Sequence, residues 1–323
     1  MLLNYFGTKT LEKSFGTNLI SQYTTMEQRL IKNFKIDPGR GSAFAYDTHP
    51  NMPKAHVNCI IVGARGMGKT VAMVNLVERM PYHKVMIISP TMHSNRDIMK
   101  RLKIEPDDIY DPEDDKVLDK IKDKIDQEAK EYEDYLEDLK KWNSFDKKLQ
   151  SSNSLFSDGE LMSFYKGGEF KKPTHKYGGQ KPCLALVCDD ILGSNLLTKG
   201  SRKLNHMVIL HRHLGELKKS GGALGCSLYF LVQSYKTQSG SLTKSIRNNV
   251  TLMLLFHTKS KKELEEIAEE VGAEVSKETF LKLIEAAHKD KHDFLMIDLH
   301  KKPEHPSCFR RNLETFLIVP EED

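Results

Sequence analysis

From Val57 onward, short and almost unbroken apolar runs alternate with stretches of helical periodicity. The runs are VNCIIV (57–62), KVMIIS (84–89), CLALVC (183–188), SLYFLV (227–232), TLMLLF (251–256) and FLMIDL (294–299). Runs of this length with so few polar positions suit strands covered on both faces. Helical segments between such strands predict a mainly parallel sheet joined by right-handed crossovers, an α/β fold. No internal repeat interrupts the alternation.

The second and third runs are separated by an interruption of roughly ninety residues. Its first part, VLDKIKDKIDQEAKEYEDYLEDLKKW, places Leu118, Ile121, Ile125, Tyr132, Leu136 and Leu139 at steps of three and four among charged positions. That pattern predicts a long amphipathic helix, with the apolar stripe packed on the body. The segment from Ser144 to Pro182, rich in Ser, Gly and Lys, reads as a mobile loop. Residues 105–180 are therefore expected to form a charged helical insertion with a flexible loop. Residues 1–54 read as an N-terminal extension packing on the body. Near the end, SKKE (260–263) matches a capping box, with Ser260 as cap and Glu263 three positions on, so a helix should start there.

Composition narrows the class. The 323 residues are 39% hydrophobic and 29% charged, as in soluble globular proteins. No apolar run approaches the length of a membrane span, and the N-terminus lacks the pattern of a secretory signal. The expected location is the compartment of synthesis. Cys59, Cys183, Cys188, Cys226 and Cys308 form no C-x-x-C pair, so reduced thiols are expected rather than a disulfide or zinc framework. His288 and His292 have the spacing of a helical metal pair but no third ligand nearby, and read as exposed helix histidines. The net charge of +4 hides a segregation: residues 105–141 hold 16 acidic and 7 basic side chains, leaving +13 for the rest. A basic body can attract a polyanion.

Three motifs carry chemistry. GARGMGKT, residues 63–70, fits G-x-x-x-x-G-K-[ST] between a strand and a helix. Its backbone amides, over Gly63, Ala64, Arg65, Gly66, Met67 and Gly68, would curl round phosphate oxygens at the positive end of the following helix. Lys69 would reach the β- and γ-phosphates of ATP, and Thr70 would ligate Mg²⁺. CLALVCDD ends a buried strand in two carboxylates: Asp189 would hold Mg²⁺, and Asp190 would orient or deprotonate the attacking water. SLYFLVQS ends a third strand in Gln233, a candidate sensor of the γ-phosphate. An arginine neutralising the transition state could come from Arg212 in LHRHLG or Arg247 in SIRNNV.

In their order, HPNMPKAHVNCIIVGARGMGKT, MIISPTMHSN, LALVCDD, HRH, FLVQSYKT and IRNNVTLMLLF resemble the A32-like genome-packaging ATPases of large eukaryotic DNA viruses and their smaller relatives, within the FtsK–HerA group of DNA-pumping ATPases. The similarity runs from about His49 to Leu317. It implies a RecA-like core, here residues 55–104 and 181–323, assembled into a homo-oligomeric ring, pentameric or hexameric. It also implies ATP-driven movement of double-stranded DNA into a preformed capsid, with a capsid or portal protein as a further partner. The setting would be host cytoplasm, virus factory or virion. Lys69 and Thr70 then match the Walker A lysine and hydroxyl, Asp189 and Asp190 the Walker B acids, and Gln233 the strand-end sensor. Arg247 matches a basic residue donated to a neighbouring subunit. Departures are Asp190, where FtsK-type members usually carry Glu, the stretched spacing between HRH and Gln233, and the insertion 105–180.

Two other functions remain open on sequence: a helicase- or terminase-type DNA motor, and an adaptor whose assembly is gated by nucleotide. Lys199, Arg202, Lys203, Lys218 and Lys219, in two Gly-containing basic loops, are candidates for gripping DNA phosphates or for plain solvent-exposed turns. No motif reads bases, so DNA binding should be independent of sequence.

Overall fold

The computed structural model describes residues 46–92, 96–151, 155–166, 168–236, 242–258, 260–271 and 275–319; the expected extension up to residue 45 lies outside them. Their strands are β1 Asn58–Val62, β2 Lys84–Ile88, β3 Ile109–Tyr110, β4 Tyr165–Lys166, β5 Glu169–Phe170, β6 Leu184–Asp189, β7 Cys226–Val232, β8 Leu252–Phe256, β9 Phe294–Asp298, β10 Phe309–Arg311 and β11 Thr315–Leu317. Their helices are α1 Lys69–Val77, α2 Arg96–Arg101, α3 Val117–Leu149, α4 Asp158–Phe164, α5 Asn195–Thr198, α6 Ser201–Ile209, α7 Lys244–Asn248, α8 Lys261–Val271 and α9 Lys277–Ala287.

All six apolar runs are strands of one sheet, in the order β11-β10-β9-β8-β1-β7-β6-β2-β3. From β8 to β3 every neighbouring pair is parallel. The remaining edge is antiparallel, because β9 runs against β8 and continues into β10 and β11. The pleat sends alternate side chains to opposite faces, so each strand feeds two cores. Ile60, Leu186, Phe230 and Met253 lie in one core with α3, α6, α7, α8 and α9. Cys59, Val187, Leu231 and Leu254 lie in the other, with α1. Helices on both faces explain why the runs read as almost unbroken apolar segments.

The expected amphipathic helix is α3, 33 residues long, which at 1.5 Å per residue spans about 50 Å. Leu118, Ile121 and Ile125 of the predicted stripe are buried, and Tyr132, Leu136 and Leu139 are half-buried. Two acids on the same helix are also buried. Glu128 meets Lys176 at 2.9 Å, and Glu133 accepts hydrogen bonds from the backbone amides of Lys219 (2.6 Å) and Ser220 (3.1 Å).

Where composition predicts only a loop after Ser144, the described residues contain further structure. α3 runs on to Leu149, Ser157 and Glu160 form a capping box at the start of α4, and β4 pairs with β5. The reason is a small aromatic core in which Phe145 packs against Trp142, Phe156, Phe164 and Phe170. Just ahead of β1, the Tyr46 hydroxyl lies within hydrogen-bond distance of the Pro182 and Leu224 carbonyls, at 2.6 and 2.9 Å. All five cysteines are free thiols.

Candidate functional site

The site grows from strands that end together. Val62 pairs with Val232, so Gly63 and Gln233 leave β1 and β7 side by side. Asp189 pairs with Leu231, which puts the end of β6 on the other flank of β7. A parallel sheet places these ends on one side, where ligands of open α/β sheets bind.

The loop between β1 and α1 has the backbone of an anion cradle. A Cβ on Gly63 would come 2.6 Å from Cβ of Phe256, so a side chain there would displace β8. Gly66 and Gly68 have φ of +78° and +98°, the left-handed region that favours glycine. α1 then begins at Lys69 with no side-chain cap. The first amides of a helix have no partner inside it, and they carry its positive end. That end faces the cleft, as an anion site requires.

The Lys69 ammonium donates to the carbonyls of Gly63 (2.6 Å) and Ala64 (3.2 Å). Burial pulls its pKa down, while the charges of Asp189 and Asp190 push it back up. Asp189 is raised above the ordinary carboxylate value, first by burial and then by Asp190, against the opposing pull of Lys69. Asp190 adopts φ of +53°, a left-handed conformation that Asp tolerates better than most residues. Asp189 also accepts a hydrogen bond from the Asp190 backbone amide.

Lys69, Thr70, Asp189, Asp190 and Gln233 all line one open cleft of about 1030 Å³. Arg65, Gly66 and Gly68 line it as well, while Gly63 and Ala64 supply the carbonyls on Lys69 and Met67 underlies the loop. A Thr hydroxyl and an Asp carboxylate are hard oxygen donors, the set Mg²⁺ takes together with substrate phosphates. Among the described residues no group of three or more His, Cys, Asp or Glu could hold a metal alone.

Several cleft residues escaped the sequence reading because they come from distant parts of the chain. Thr91 follows β2, and Asn75 and Arg79 lie on or just beyond α1. Asn312 and Glu314 form the opposite wall. Asp293 builds that wall: Arg311 pairs with it at 2.7 Å, and Asn312 Nδ2 donates to it at 2.8 Å. His292 Nδ1 lies 3.2 Å from the Met67 carbonyl, over the glycine loop. The expectation of two helix histidines is corrected here. α9 ends at Ala287, so His288 caps it, with Nε2 2.8 Å from the Leu255 carbonyl, and His292 stands in the turn beyond.

The two arginines lie elsewhere. Arg247 Nε donates to Glu270 (3.1 Å), its Nη1 donates to the Leu242 carbonyl (2.7 Å), and the guanidinium lies over the Tyr235 ring. Arg212 follows α6, and its Nη2 donates to His300 Nδ1 at 3.3 Å. Of the two expected basic loops the first is corrected to helix, since Arg202 and Lys203 lie in the first turn of α6 and Lys199 caps α5. Lys203 pairs with Asp119 (2.7 Å), Lys199 with Asp115 (3.5 Å), and Lys219 with Glu137 (2.7 Å) and Asp134 (3.5 Å).

Fold and cleft together define an α/β protein with a P-loop and a two-aspartate strand end. No protein-family model matches the chain, and no curated protein matches it. Among solved structures it is similar to the genome packaging NTPase B204 from Sulfolobus turreted icosahedral virus 2 in complex with AMPPCP. The identity is 12% and the TM-score 0.41, over 83% of this chain and 100% of that one. It is also similar to B204, the DNA-packaging ATPase from Sulfolobus turreted icosahedral virus, at 12% identity and TM-score 0.40, over 76% of this chain and 97% of that one. A third similarity is to the cytoplasmic domain of the type VII secretion ATPase EccC of Thermomonospora curvata. There the identity is 15% and the TM-score 0.38, over 82% of this chain and 26% of that one. No helix among the described residues is long and apolar enough to cross a membrane.

Proposed function

We propose that the chain is an ATPase motor that moves double-stranded DNA, and that as a ring it drives viral DNA into a preformed capsid. The observation that supports this is the convergence of Lys69, Thr70, Asp189, Asp190 and Gln233 on one cleft from the ends of adjacent parallel strands. In this reading the loop amides and Lys69 hold the phosphates, and Thr70 and Asp189 would hold Mg²⁺, which would supply positive charge against the phosphates. Asp190 takes a proton from water as its oxygen bonds to the γ-phosphorus, and the bond to the bridging oxygen of ADP breaks. Gln233 orients that water. Arg247 lies outside its own chain's cleft, so its contribution would be made to a neighbouring subunit.

A second reading is favoured by one observation. Three of the five candidate DNA-gripping cations are paired with acids of α3 and the residues just before it, which fits an adaptor gated by nucleotide. The test is the ATP hydrolysis rate with and without long duplex DNA across a protein concentration series, at two salt concentrations. The motor reading expects cooperative stimulation by DNA that weakens with salt. A rate indifferent to DNA would turn the assignment towards the adaptor.

A further inference from the structure

Glu263 is at the start of α8, where the sequence pattern predicts that its carboxylate closes a capping box on Ser260. Only half of that box forms. The Glu263 amide donates to Ser260 Oγ at 3.2 Å, but the carboxylate turns away from the helix. Its Oε1 accepts from Ser234 Oγ (2.7 Å) and from the backbone amide of Tyr235 (2.6 Å), while Oε2 accepts from Thr258 Oγ1 (2.8 Å). Ser234 and Tyr235 immediately follow Gln233, and Thr258 lies two residues beyond β8. One carboxylate thus ties the ends of β7 and β8, the two strands that flank β1.

Two further acids follow on the same helix. Glu266 and Glu270 lie three and seven residues after Glu263, spacings that share a helix face. Glu270 accepts from the Tyr235 hydroxyl (2.7 Å) and from Arg247 Nε (3.1 Å), and meets Lys236 at 2.9 Å. Glu266 meets Lys236 at 3.6 Å. Burial pushes the Glu270 carboxyl up, but hydrogen bonds from Tyr235, Lys236 and Arg247 outweigh it and bring it down to about 2. The three residues behind Gln233 are therefore fastened to one edge of α8, whereas Gln233 itself projects into the cleft.

We propose that Glu263 is a positioning residue, which fixes the backbone after β7 and so sets where the Gln233 side chain stands in the cleft. The inference rests on the ATPase reading above. Glu fits this place because its length brings one oxygen to Ser234 and Tyr235 and its other terminal atom to Thr258, whose hydroxyl can either donate to a carboxylate or accept from an amide. A charge serving only the N-terminus of α8 would not need the reach of Glu.

The experiment compares Glu263→Asp, Glu263→Gln, Ser234→Ala and Gln233→Ala, reading kcat, KM for ATP, and ATP binding by thermal shift. Asp keeps the charge at the helix start but is one methylene short of the loop; Gln keeps the reach and loses the charge. Glu263→Asp should lower kcat about tenfold with KM and the thermal shift unchanged, and Glu263→Gln should stay within about threefold of the parent. Ser234→Ala leaves α8 intact and should lower kcat about threefold. Equal activity of Glu263→Asp and parent, with Gln233→Ala impaired, overturns the clamp and leaves the hydrolysis reading standing. Greater loss in Glu263→Gln than in Glu263→Asp also overturns it, since charge rather than reach would then matter. A Gln233→Ala chain that turns over like the parent overturns the role of Gln233 and with it the clamp, whereas a parent chain that does not hydrolyse ATP overturns the reading on which the clamp rests.

Discussion

The cleft and the flank along α3 are both densely charged, but they treat their charges in opposite ways. Along the flank Lys199, Lys203 and Lys219 each lie against an acid, and buried Glu133 takes two backbone amides. In the cleft Lys69 rests on two carbonyls, and Asp189 is raised by its own burial and by Asp190. A carboxylate kept at that cost in free energy, without a cation paired to it, is held ready for something that arrives. Paired charges mark where a chain holds itself together; unpaired ones in a concavity mark where it acts.

Removing Lys69 should break this contrast most directly. Lys69→Ala is expected to lower ATP hydrolysis by about 100-fold or more, as loss of a preorganised phosphate contact does. The flank lysines, changed in the same way, should leave hydrolysis in place. A steady-state ATPase assay on the two kinds of variant decides the matter.

Asp189→Asn separates function from stability. Under the proposed mechanism hydrolysis should fall by about 100-fold, since the amide lacks the charge that would hold Mg²⁺, yet the fold should gain about 0.5–2 kcal/mol. Because the folded pKa is raised above the ordinary 3.8, ionisation of Asp189 opposes folding. The opposition is absent below the ordinary value and complete once pH has risen through the folded one. The gain should therefore appear in thermal melts at pH 7 and vanish towards pH 3. Equal melting points at pH 7 would mean that the cleft stores no such strain.

Arg247 sharpens the comparison, being a cation paired within its own chain. As a finger donated to a neighbour, its loss should cost about 1000-fold in turnover and remove the dependence on protein concentration. As a partner of Glu270 and Tyr235 alone, it should cost stability and leave turnover per folded chain within a few-fold. Denaturant titration alongside the ATPase assay distinguishes the two.

Much of this was legible in the chain because local rules and the tertiary fold agree. Each of the six apolar runs is a strand, since burial on both faces removes the polar alternation that would blur the signal. The glycine spacing marks the loop that the positive φ angles of Gly66 and Gly68 require. What stayed illegible depends on partners far apart in sequence. Asn312 and Glu314 reach the cleft through an antiparallel edge that β9 does not announce, its run being as apolar as that of a central strand. His292 looked like a helix residue because spacing cannot show that α9 stops at Ala287. Glu263 satisfied a local motif in sequence, but tertiary donors took its carboxylate.

The smallest effect should come from the flank itself. Lys199→Ala, Lys203→Ala and Lys219→Ala remove pairs whose partners are all more than two-fifths exposed, so each should leave the denaturation midpoint almost unchanged. Their effect on DNA is the more telling measurement. A lysine already facing an acid releases fewer counterions on binding phosphate, so the slope of log affinity against log salt should hardly change in the triple variant. A slope reduced by about 2–3 would mean that DNA displaces the acids of α3 and the residues just before it from those lysines. The flank would then behave like the cleft, holding its charges for an incoming partner.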